Sequence, residues 1–550
     1  MTMNAKIVGP VQSAVLDEAH IGDIQGAFGT IAHGDVAPRI TWKRRLATLM
    51  AILGPGLIVM AGDNDAGAFA TYGQAGQTYG TTLLWTLALL VPVLYVSQEM
   101  VLRLGAVTGV GHARLIFERF GKFWGAFSVI DLFLLNALTI VTEFIGISLA
   151  LDYLGLNKTA GVVVAAALIV GAVSTGNFRR FERFSMLLVF GSLLLVPIFV
   201  MAHPPLAQIA RDFVIPQIPA TGKLSDLMLL VIGLVGTTVA PWQLFFQQSY
   251  VIDKRITPRF IRYERLDLWI GIGIVIAGAA AIIAFTAAAF QNTPGFGNFT
   301  DAGGIAVGLE KYAGRTAGVL FALALIDAAL IGAAAVSLST AYAIGDVFSV
   351  RHSLHRKVTD AKGFYAVYAL LIAIAAAIVL TPNAPLGLLT VAVQTLAGVL
   401  LPSATVFLLL LCNDAAVLGP WVNSRFLNWL TGGIIAGLVV LSVILTASVL
   451  FPDQTGGGMI LAILFGGGLG AIVIALVLMA VGETGKVTAE KARIQRRRHD
   501  RATWRMPPLA SLPRARLSLA AKTWMGVLRL YLVVAGGLVL IRIVMLALGR

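Results

Sequence analysis

Charged residues are scarce in this chain, and cysteine is almost absent from it. Only 12% of the 550 residues are Asp, Glu, Lys or Arg, whereas 58% are hydrophobic, which excludes an ordinary soluble domain. The single cysteine, Cys412, excludes an intramolecular disulfide and argues against a thiolate metal site. No Gly-x-x-x-x-Gly-Lys-Ser/Thr motif is present, so nothing supports transport driven by ATP. The composition predicts a polytopic membrane protein.

Apolar segments of the length that a helical crossing needs, about 20 residues, recur along the chain. Lys and Arg concentrate in alternate loops between these segments, such as residues 43–45 and 351–357, and are sparse in the others. By the positive-inside rule we expect a multi-pass membrane protein with a cytoplasmic N-terminus. The expected location is the bacterial inner (plasma) membrane. The twelve predicted spans cover approximately residues 46–76, 80–103, 125–152, 159–178, 184–203, 225–251, 266–290, 315–349, 363–381, 386–411, 427–451 and 458–482.

The first apolar segment contains a ten-residue break at 62–71, which reads GDNDAGAFAT and carries Asp63, Asn64 and Asp65. A carboxylate at mid-membrane costs roughly 2.5–3.5 kcal/mol on insertion scales, so a pair of them indicates a function. A helix broken at that depth also frees backbone carbonyls that can bind an ion. We therefore predict a cation site here. The alternatives are a helix-capping role for Asp65 and a turn-forming role for Asn64.

The sixth segment is interrupted as well, because Pro241 lies in its middle. On its own this would be a simple kink, but its pairing with the first break predicts an all-α, five-plus-five inverted repeat with broken helices one and six and a substrate between them. The predicted parts are a cytoplasmic segment at 1–45, a transport core at 46–412 (halves at about 46–203 and 225–412), two additional C-terminal spans at 427–482, a basic cytoplasmic linker at 485–522, and a stretch at 523–550 that is a further span or an interfacial helix.

At these residues the chain resembles the NRAMP divalent-metal transporters. The resemblance covers roughly residues 45–480 and implies a LeuT-like form of the inverted repeat. It is carried by Gly54-Pro55-Gly56, by Asp65-Ala66-Gly67-Ala68 where the family has Asp-Pro-Gly-Asn, by Glu143-Phe144-Ile145-Gly146, and by Ala240-Pro241-Trp242-Gln243 where the family has Met-Pro-His-Asn.

The departures from that pattern concern the ligands of the ion. By resemblance, Asp65 and the Thr237 carbonyl would bind the ion, whereas Ala68 and Ala240 stand where the family has Asn and Met. A thioether favours transition metals, so without it the site offers oxygen only. A wider, all-oxygen pocket suits a partly hydrated Mg²⁺, as in the NRAMP-related magnesium transporters. The predicted metal-site residues are Asp65, Thr237, Asp63, Ala68, Ala240, Gln394, Asn64 and Gln247.

A second departure concerns protons. Proton-driven members carry an Asp where this chain has Ile140 and histidines where it has Trp242 and Gln247, and only Glu143 is left of that set. A proton relay needs groups that titrate along the path. We therefore predict transport of Mg²⁺, and also of Mn²⁺, by alternating access without proton coupling.

Two other functions stay open. One is proton-coupled transport of Mn²⁺ or another transition metal, and the other is transport of a cationic amino acid or polyamine, for which Trp242 would offer a cation–π face. One asymmetric pair of broken helices is less typical of a channel, whose selectivity comes from rings around a pore. In each case we expect no enzyme and no cofactor. The expected partners are a divalent ion as substrate and the lipid bilayer, and not nucleic acid, since the net charge of +14 reflects basic loops beside the spans.

Overall fold

The computed structural model describes residues 18–219, 223–381, 386–450, 454–481 and 501–513, with scattered positions between 515 and 544. Most of the predicted basic linker and of the apolar stretch at 523–550 lies outside the described residues. The first half of the chain contains α1 (Trp42–Ile52), α2 (Pro55–Ala61), α3 (Ala66–Tyr79), α4 (Leu84–Thr108), α5 (His112–Phe120), α6 (Lys122–Tyr153), α7 (Lys158–Val173), α8 (Phe178–Gly191), α9 (Leu195–Ala202) and α10 (Leu206–Val214).

The second half continues in the same helical manner. Its helices are α11 (Leu224–Thr238), α12 (Pro241–Asp253), α13 (Ile261–Phe290), α14 (Ala302–Ala313), α15 (Arg315–Phe348), α16 (Lys362–Val379), α17 (Leu386–Cys412), α18 (Ala415–Leu418), α19 (Arg425–Leu450) and α20 (Gly457–Val481). Within the described ranges, nine helical stretches are long and apolar enough to cross a membrane, and a tenth if the bent pair α1–α2 is one span. We refer to α1–α3 as span one and to α11–α12 as span six.

The break in span one is shorter than predicted. It comprises only residues 62–65, because helix α3 already begins at Ala66. The Asp65 side chain caps this helix by accepting a hydrogen bond from the Ala68 N–H at 2.8 Å. The prediction of a ten-residue break was therefore wrong at its C-terminal side, since an aspartate at this position starts a helix rather than prolonging a loop.

Span one also has a bend that the sequence did not predict, between α1 and α2, which meet at 49°. Both helix ends at this bend are satisfied by charged side chains from distant parts of the chain. The Lys254 ammonium donates to the carbonyls of Ile52 (2.7 Å) and Leu53 (2.8 Å), and the Asp267 carboxylate accepts from the Gly56 N–H at 2.6 Å. Each charge has the sign that the helix dipole at that end favours.

The break in span six follows from its proline. Helix α11 ends at Thr238 and α12 begins at Pro241. In an unbroken helix the Thr237 carbonyl would accept from the N–H of residue 241, but proline has none, so this carbonyl is left without its helical partner. The two breaks lie side by side, because the Gln243 side chain at the start of α12 donates to Asp63 in the first break. The Tyr72 hydroxyl of α3 and the Thr238 hydroxyl of α11 are also 2.7 Å apart.

Segments near both ends of the chain fold onto one side of the helical core. We call this side, which carries residues 18–41, the N-terminal face. Strands β1 (Ile24–Gln25) and β2 (Thr30–Ile31) pair there as an antiparallel hairpin. Residues 501–513 pack against the end of α4, where the Arg505 side chain donates to the Ala106 carbonyl at 2.9 Å and the Met506 N–H to the Val107 carbonyl at 3.2 Å.

Candidate cation site between the broken helices

Asp65 lies at the centre of the contact between span one and its neighbours, and only 2% of it is exposed. One carboxylate oxygen caps α3, so the capping role considered from the sequence is present in the structure. The helix dipole of α3 directs its positive end at this carboxylate. A Cβ atom built on Gly332 of α15 would lie 2.9 Å from the Asp65 Cβ and 2.8 Å from the Glu143 Cδ, so this glycine leaves room for two neighbouring acidic side chains.

Glu143 is the acidic neighbour that sequence reasoning placed outside the site. Its Oε2 accepts a hydrogen bond from the Ala66 N–H at 3.0 Å, so it is a second side-chain cap on the N-terminus of α3. Its carboxyl is also hydrogen-bonded to the Asp65 carboxyl. The sequence did contain a signal for Glu143, because the motif Glu143-Phe144-Ile145-Gly146 is part of the resemblance to the family.

Asp63 is joined to span six through glutamine side chains. Its Oδ1 accepts a hydrogen bond from the Gln243 amide nitrogen, while the Gln243 carbonyl oxygen accepts from the Gln98 amide of α4 at 2.8 Å. Within the described part of the chain, Asp63 Oδ2 is buried without a hydrogen bond. Sequence reasoning missed Gln243, although it closes the Ala240-Pro241-Trp242-Gln243 motif.

Asn64 points from the break towards α13. Its amide nitrogen donates to the Val275 carbonyl at 3.2 Å, and Gly278 leaves space for the side chain, because a Cβ atom there would overlap the Asn64 amide. This hydrogen bond joins the break to α13.

Span six contributes backbone and small side chains. Thr237 and Ala240 are both buried, at 2% and 5% exposure, and Ala240 occupies the position before the first residue of α12. The Trp242 indole fills the volume beside the first break, since a Cβ on Gly62 would lie 3.5 Å from it. Ala68 is the other position where, by resemblance, the family has a ligand side chain. In this chain its side chain offers no ligand atom, and its N–H donates a hydrogen bond to Asp65.

The two remaining predicted glutamines differ in their placement. Gln394 of α17 packs against Gly67, where an added Cβ would overlap the Gln394 amide and lie 3.2 Å from Asp65 Oδ1, so Gln394 reaches the first break. Gln247 lies one helical turn beyond Gln243 on α12, and among the residues that the structure describes its amide has no hydrogen-bond partner. The structure thus brings Gln394 to the break and leaves Gln247 one turn away from it.

The side-chain and backbone atoms at the breaks that can bind a cation are oxygen atoms. Oxygens of Asp63 and Asn64 are buried without a hydrogen-bond partner in the described ranges, and hard cations prefer oxygen ligands. No group of three or more His, Cys, Asp and Glu side chains in the described residues is arranged to hold a metal. An ion bound here would depend on Asp65 together with carbonyl, amide or water oxygens.

The break residues are closed off from both faces in this conformation. Asp63, Asp65 and Thr237 are each at most 2% exposed. A small cavity of about 10 Å³ lies next to the start of α3, towards the face opposite the N-terminal face. Its lining includes Ala66 and Gly146 beside the break and Asp301 at the start of α14.

Comparisons with known proteins agree with this architecture. The model of the natural resistance-associated macrophage protein-like (Nramp) family matches residues 56–448. The divalent metal cation transporter MntH of Ralstonia nicotianae is 30% identical over 403 residues, covering 70% of this chain and 87% of that protein. MntH of Pectobacterium carotovorum is 28% identical over 292 residues, covering 51% of this chain and 68% of that protein.

The fold has a solved counterpart. The crystal structure of the Eremococcus coleocola manganese transporter in complex with an aromatic bis-isothiourea substituted compound superposes with a TM-score of 0.60 at 19% identity, covering 84% of this chain and 97% of that one. The predicted all-α, multi-pass, LeuT-like membrane fold is confirmed. The relatives also confirm that the chain is a membrane transporter and not an enzyme. By the extent of the family match, the chain belongs to the Nramp family.

Proposed function

We propose that this chain transports divalent metal cations by alternating access, with Mg²⁺ as the preferred ion and Mn²⁺ as a second substrate. The observation that carries the proposal is the donor set at the two breaks. Asp65 is joined there by oxygen donors, and Ala240 stands where the family resemblance places a Met. The relatives named as divalent metal cation transporters support the general class of substrate.

The preference for Mg²⁺ rests on ligand chemistry. A thioether sulfur favours transition metals, and the side chain of Ala240 offers none. Mg²⁺ binds about six oxygens in octahedral geometry and loses its waters reluctantly, so it is commonly held by one or two carboxylates and several waters. Asp65 supplies the carboxylate, and the Thr237 carbonyl, freed by Pro241, is the proposed ligand from span six.

We further propose that the N-terminal face is the cytoplasmic side of a bacterial plasma membrane, because the loops on that face carry most of the Lys and Arg residues. A negative interior then favours cation entry by about 2.3 kcal/mol per charge per 100 mV, which is sufficient to drive uptake without a second ion. The proposed transport core is residues 46–412, with 427–482 as two accessory spans.

We propose that proton coupling is absent, since the histidines of this chain lie outside the two breaks. Proton-coupled Mn²⁺ transport is the second candidate, and one observation favours it. The Glu143 carboxyl is hydrogen-bonded to the Asp65 carboxyl, so a titratable group stands next to the proposed ion. A cationic amine is not retained as a substrate, because the Trp242 ring packs against Gly62 and Phe246.

Uptake into proteoliposomes tests the proposal directly. Mg²⁺, Mn²⁺ and Ca²⁺ are supplied separately, with a pH-sensitive dye in the lumen and a potassium diffusion potential that is negative inside. We expect saturable Mg²⁺ entry without acidification of the lumen. Entry of Mn²⁺ alone with acidification would overturn the proposal in favour of the proton-coupled candidate.

The Glu143→Gln variant separates the two candidates further, because glutamine keeps the side-chain oxygen and cannot titrate. Without coupling, the pH dependence of uptake between pH 5.5 and 7.5 should be the same as in the unmodified chain. Loss of a pH dependence that the unmodified chain possesses would assign proton coupling to Glu143.

A further inference from the structure

The N-terminal hairpin lies outside the part of the chain that the family model matches, which begins at residue 56. Residues 18–37 nevertheless fold against three elements of the N-terminal face. We call these residues the N-terminal clip. Their strands β1 and β2 are only two residues each, so the clip is held by its contacts with the helices rather than by its own sheet.

The first contact is with α8, at the start of span five. The Ala27 N–H donates to Glu182 Oε2 at 2.5 Å, and the Arg183 side chain donates to the Ala27 carbonyl at 3.1 Å. The Arg179 guanidinium also bonds to the Thr30 hydroxyl. The tip of the hairpin is therefore bound to span five through both backbone groups of Ala27.

The second contact is with α1, the first helix of span one. Gly26 packs directly on the Ala51 carbonyl, where any Cβ atom would overlap the backbone. A Cβ on Gly29 would lie only 3.1 Å from the Ala51 Cβ. Both glycines allow the hairpin to approach the helix more closely than other residues would.

The third contact is with the loop that follows α12, at the end of span six. The Arg255 guanidinium donates to the Ala19 carbonyl at 2.7 Å and 3.0 Å and to the Asp23 carbonyl at 3.1 Å. The Arg259 guanidinium donates to the carbonyls of Asp35 (2.7 Å) and Ala37 (2.9 Å).

A buried ion pair connects these three contacts. Glu182 binds the clip through Oε2 and the Lys254 ammonium through Oε1 at 2.6 Å, and neither side chain is exposed. Lys254 in turn holds the carbonyls at the end of α1. One carboxylate therefore links the clip, span five, span six and span one, and removal of one partner of a buried pair is costly because it strands the other charge.

We propose that the N-terminal clip is a latch that keeps the N-terminal face of the transporter closed. Opening this face requires span one or span six to separate from the surrounding helices, as in transporters built on broken helices. The clip bonds to span one, span five and the end of span six at once, so it binds the closed state and loses contacts in the open one. A contact present in only one of two states shifts the equilibrium towards that state. The inference rests on the alternating access proposed above, although not on the identity of the ion.

Two variants weaken the clip without touching the breaks. Gly26→Leu places a side chain against the Ala51 carbonyl, and Arg255→Gln removes the guanidinium that holds Ala19 and Asp23. The matched control is Arg351→Gln, which removes the same charge from an exposed position on the same face. Size-exclusion chromatography and thermal unfolding of each full-length variant establish that it is folded.

The reporter for opening is Ser339→Cys in a Cys412→Ser background. Ser339 is fully buried, donates to the Trp242 carbonyl at 2.9 Å, and lies between the breaks and the N-terminal face. In lipid nanodiscs a hydrophilic maleimide reaches it only when α12 and α15 separate on that face. The rate of labelling, measured without any transported ion, reports how often the face opens.

We expect Gly26→Leu and Arg255→Gln to raise the labelling rate about tenfold, the effect of losing charge-assisted or tightly packed contacts from one state. Arg351→Gln should stay within about twofold of the parent. Unchanged labelling in the folded clip variants would overturn the latch. If one of them does not fold, the other decides, with Arg183→Gln as a replacement. Faster labelling together with failed Mg²⁺ uptake would uphold the latch and reject only the ion assignment.

Discussion

The break in span one is acidic and capped by side chains, whereas the break in span six is neutral and results from a missing backbone donor. Asp65 and Glu143 both accept backbone hydrogen bonds at the start of α3. At the second break Pro241 has no N–H, and Ala240 has no polar side-chain atom. The first break therefore supplies charge, and the second supplies a carbonyl and space.

This difference divides the work of binding. In the proposed mechanism, attraction for a divalent cation resides in the acidic break, where loss of a side chain removes charge. Selectivity among divalent cations is proposed to reside in the neutral break, where a side chain can add a soft ligand or fill the space for a water. Substitutions in the two breaks should differ in kind, and the following predictions test that division from the largest expected effect to the smallest.

Asp65→Ala should lower divalent-cation uptake by about 100-fold or more, because it removes the ligand that carries charge and is expected to be energetically dominant. Initial rates of Mg²⁺ and Mn²⁺ uptake into proteoliposomes measure this. Asp360→Ala, at an exposed acid, is the control and should be neutral. Uptake close to normal in Asp65→Ala would place the ion elsewhere in the molecule.

Pro241→Ala should reduce uptake at low ion concentration by roughly tenfold, because an N–H at residue 241 can pair with the Thr237 carbonyl and withdraw it from the ion. The comparison is made at saturating and subsaturating Mg²⁺, and the effect should appear mainly in the apparent affinity. Pro205→Ala, which replaces an exposed proline, is the control for the general effect of exchanging a proline for an alanine. An unchanged affinity would mean that this carbonyl is not a ligand.

Ala240→Met should shift the ratio of Mn²⁺ to Mg²⁺ uptake by about fivefold towards Mn²⁺, because a thioether is a soft ligand. Ala240→Leu is the matched control, since it adds a similar volume without sulfur. A competition assay with both ions present measures the ratio. Equal shifts in the two variants would attribute selectivity to size instead of ligand softness.

Thr237→Val should change uptake by less than about twofold, because it removes the hydroxyl and keeps the backbone carbonyl. The hydroxyl is buried and unbonded within the described ranges, so little is lost with it. Initial uptake rates again provide the measurement. A tenfold loss would show that the neutral break contributes a side-chain ligand as well.

Most helix limits could be predicted from the sequence. The span predicted at 315–349 is Arg315–Phe348 in the structure, because length, hydropathy and flanking charges act locally. The bend between α1 and α2 could not be predicted, since the side chains that satisfy it, Lys254 and Asp267, lie more than 200 residues away in sequence.

The candidate site, like the fold, could be predicted where it depends on local sequence and could not be predicted where it depends on contacts between distant residues. Asp65 and Gln394 both lie beside Gly67 at the start of α3, and their role as ligands stays a prediction. Gln243 was missed because its partner Asp63 is 180 residues distant, and a local reading of α12 does not reveal which neighbour its amide faces. The placement of Glu143 on the Ala66 N–H likewise depends on packing between α3 and α6.

The capping of α4 by residues 501–513 has a consequence for biosynthesis. The carbonyls of Ala106 and Val107, at the end of the second span, are satisfied by Arg505 and Met506, which lie 399 residues later. The ribosome must synthesise the chain as far as Met506 before these two carbonyls can be paired in this way, so this end of α4 is completed late, long after the helix itself has been made. A chain truncated before residue 505 would lack both donors, so the carbonyls at this end of α4 would have to pair with water or lipid headgroups instead.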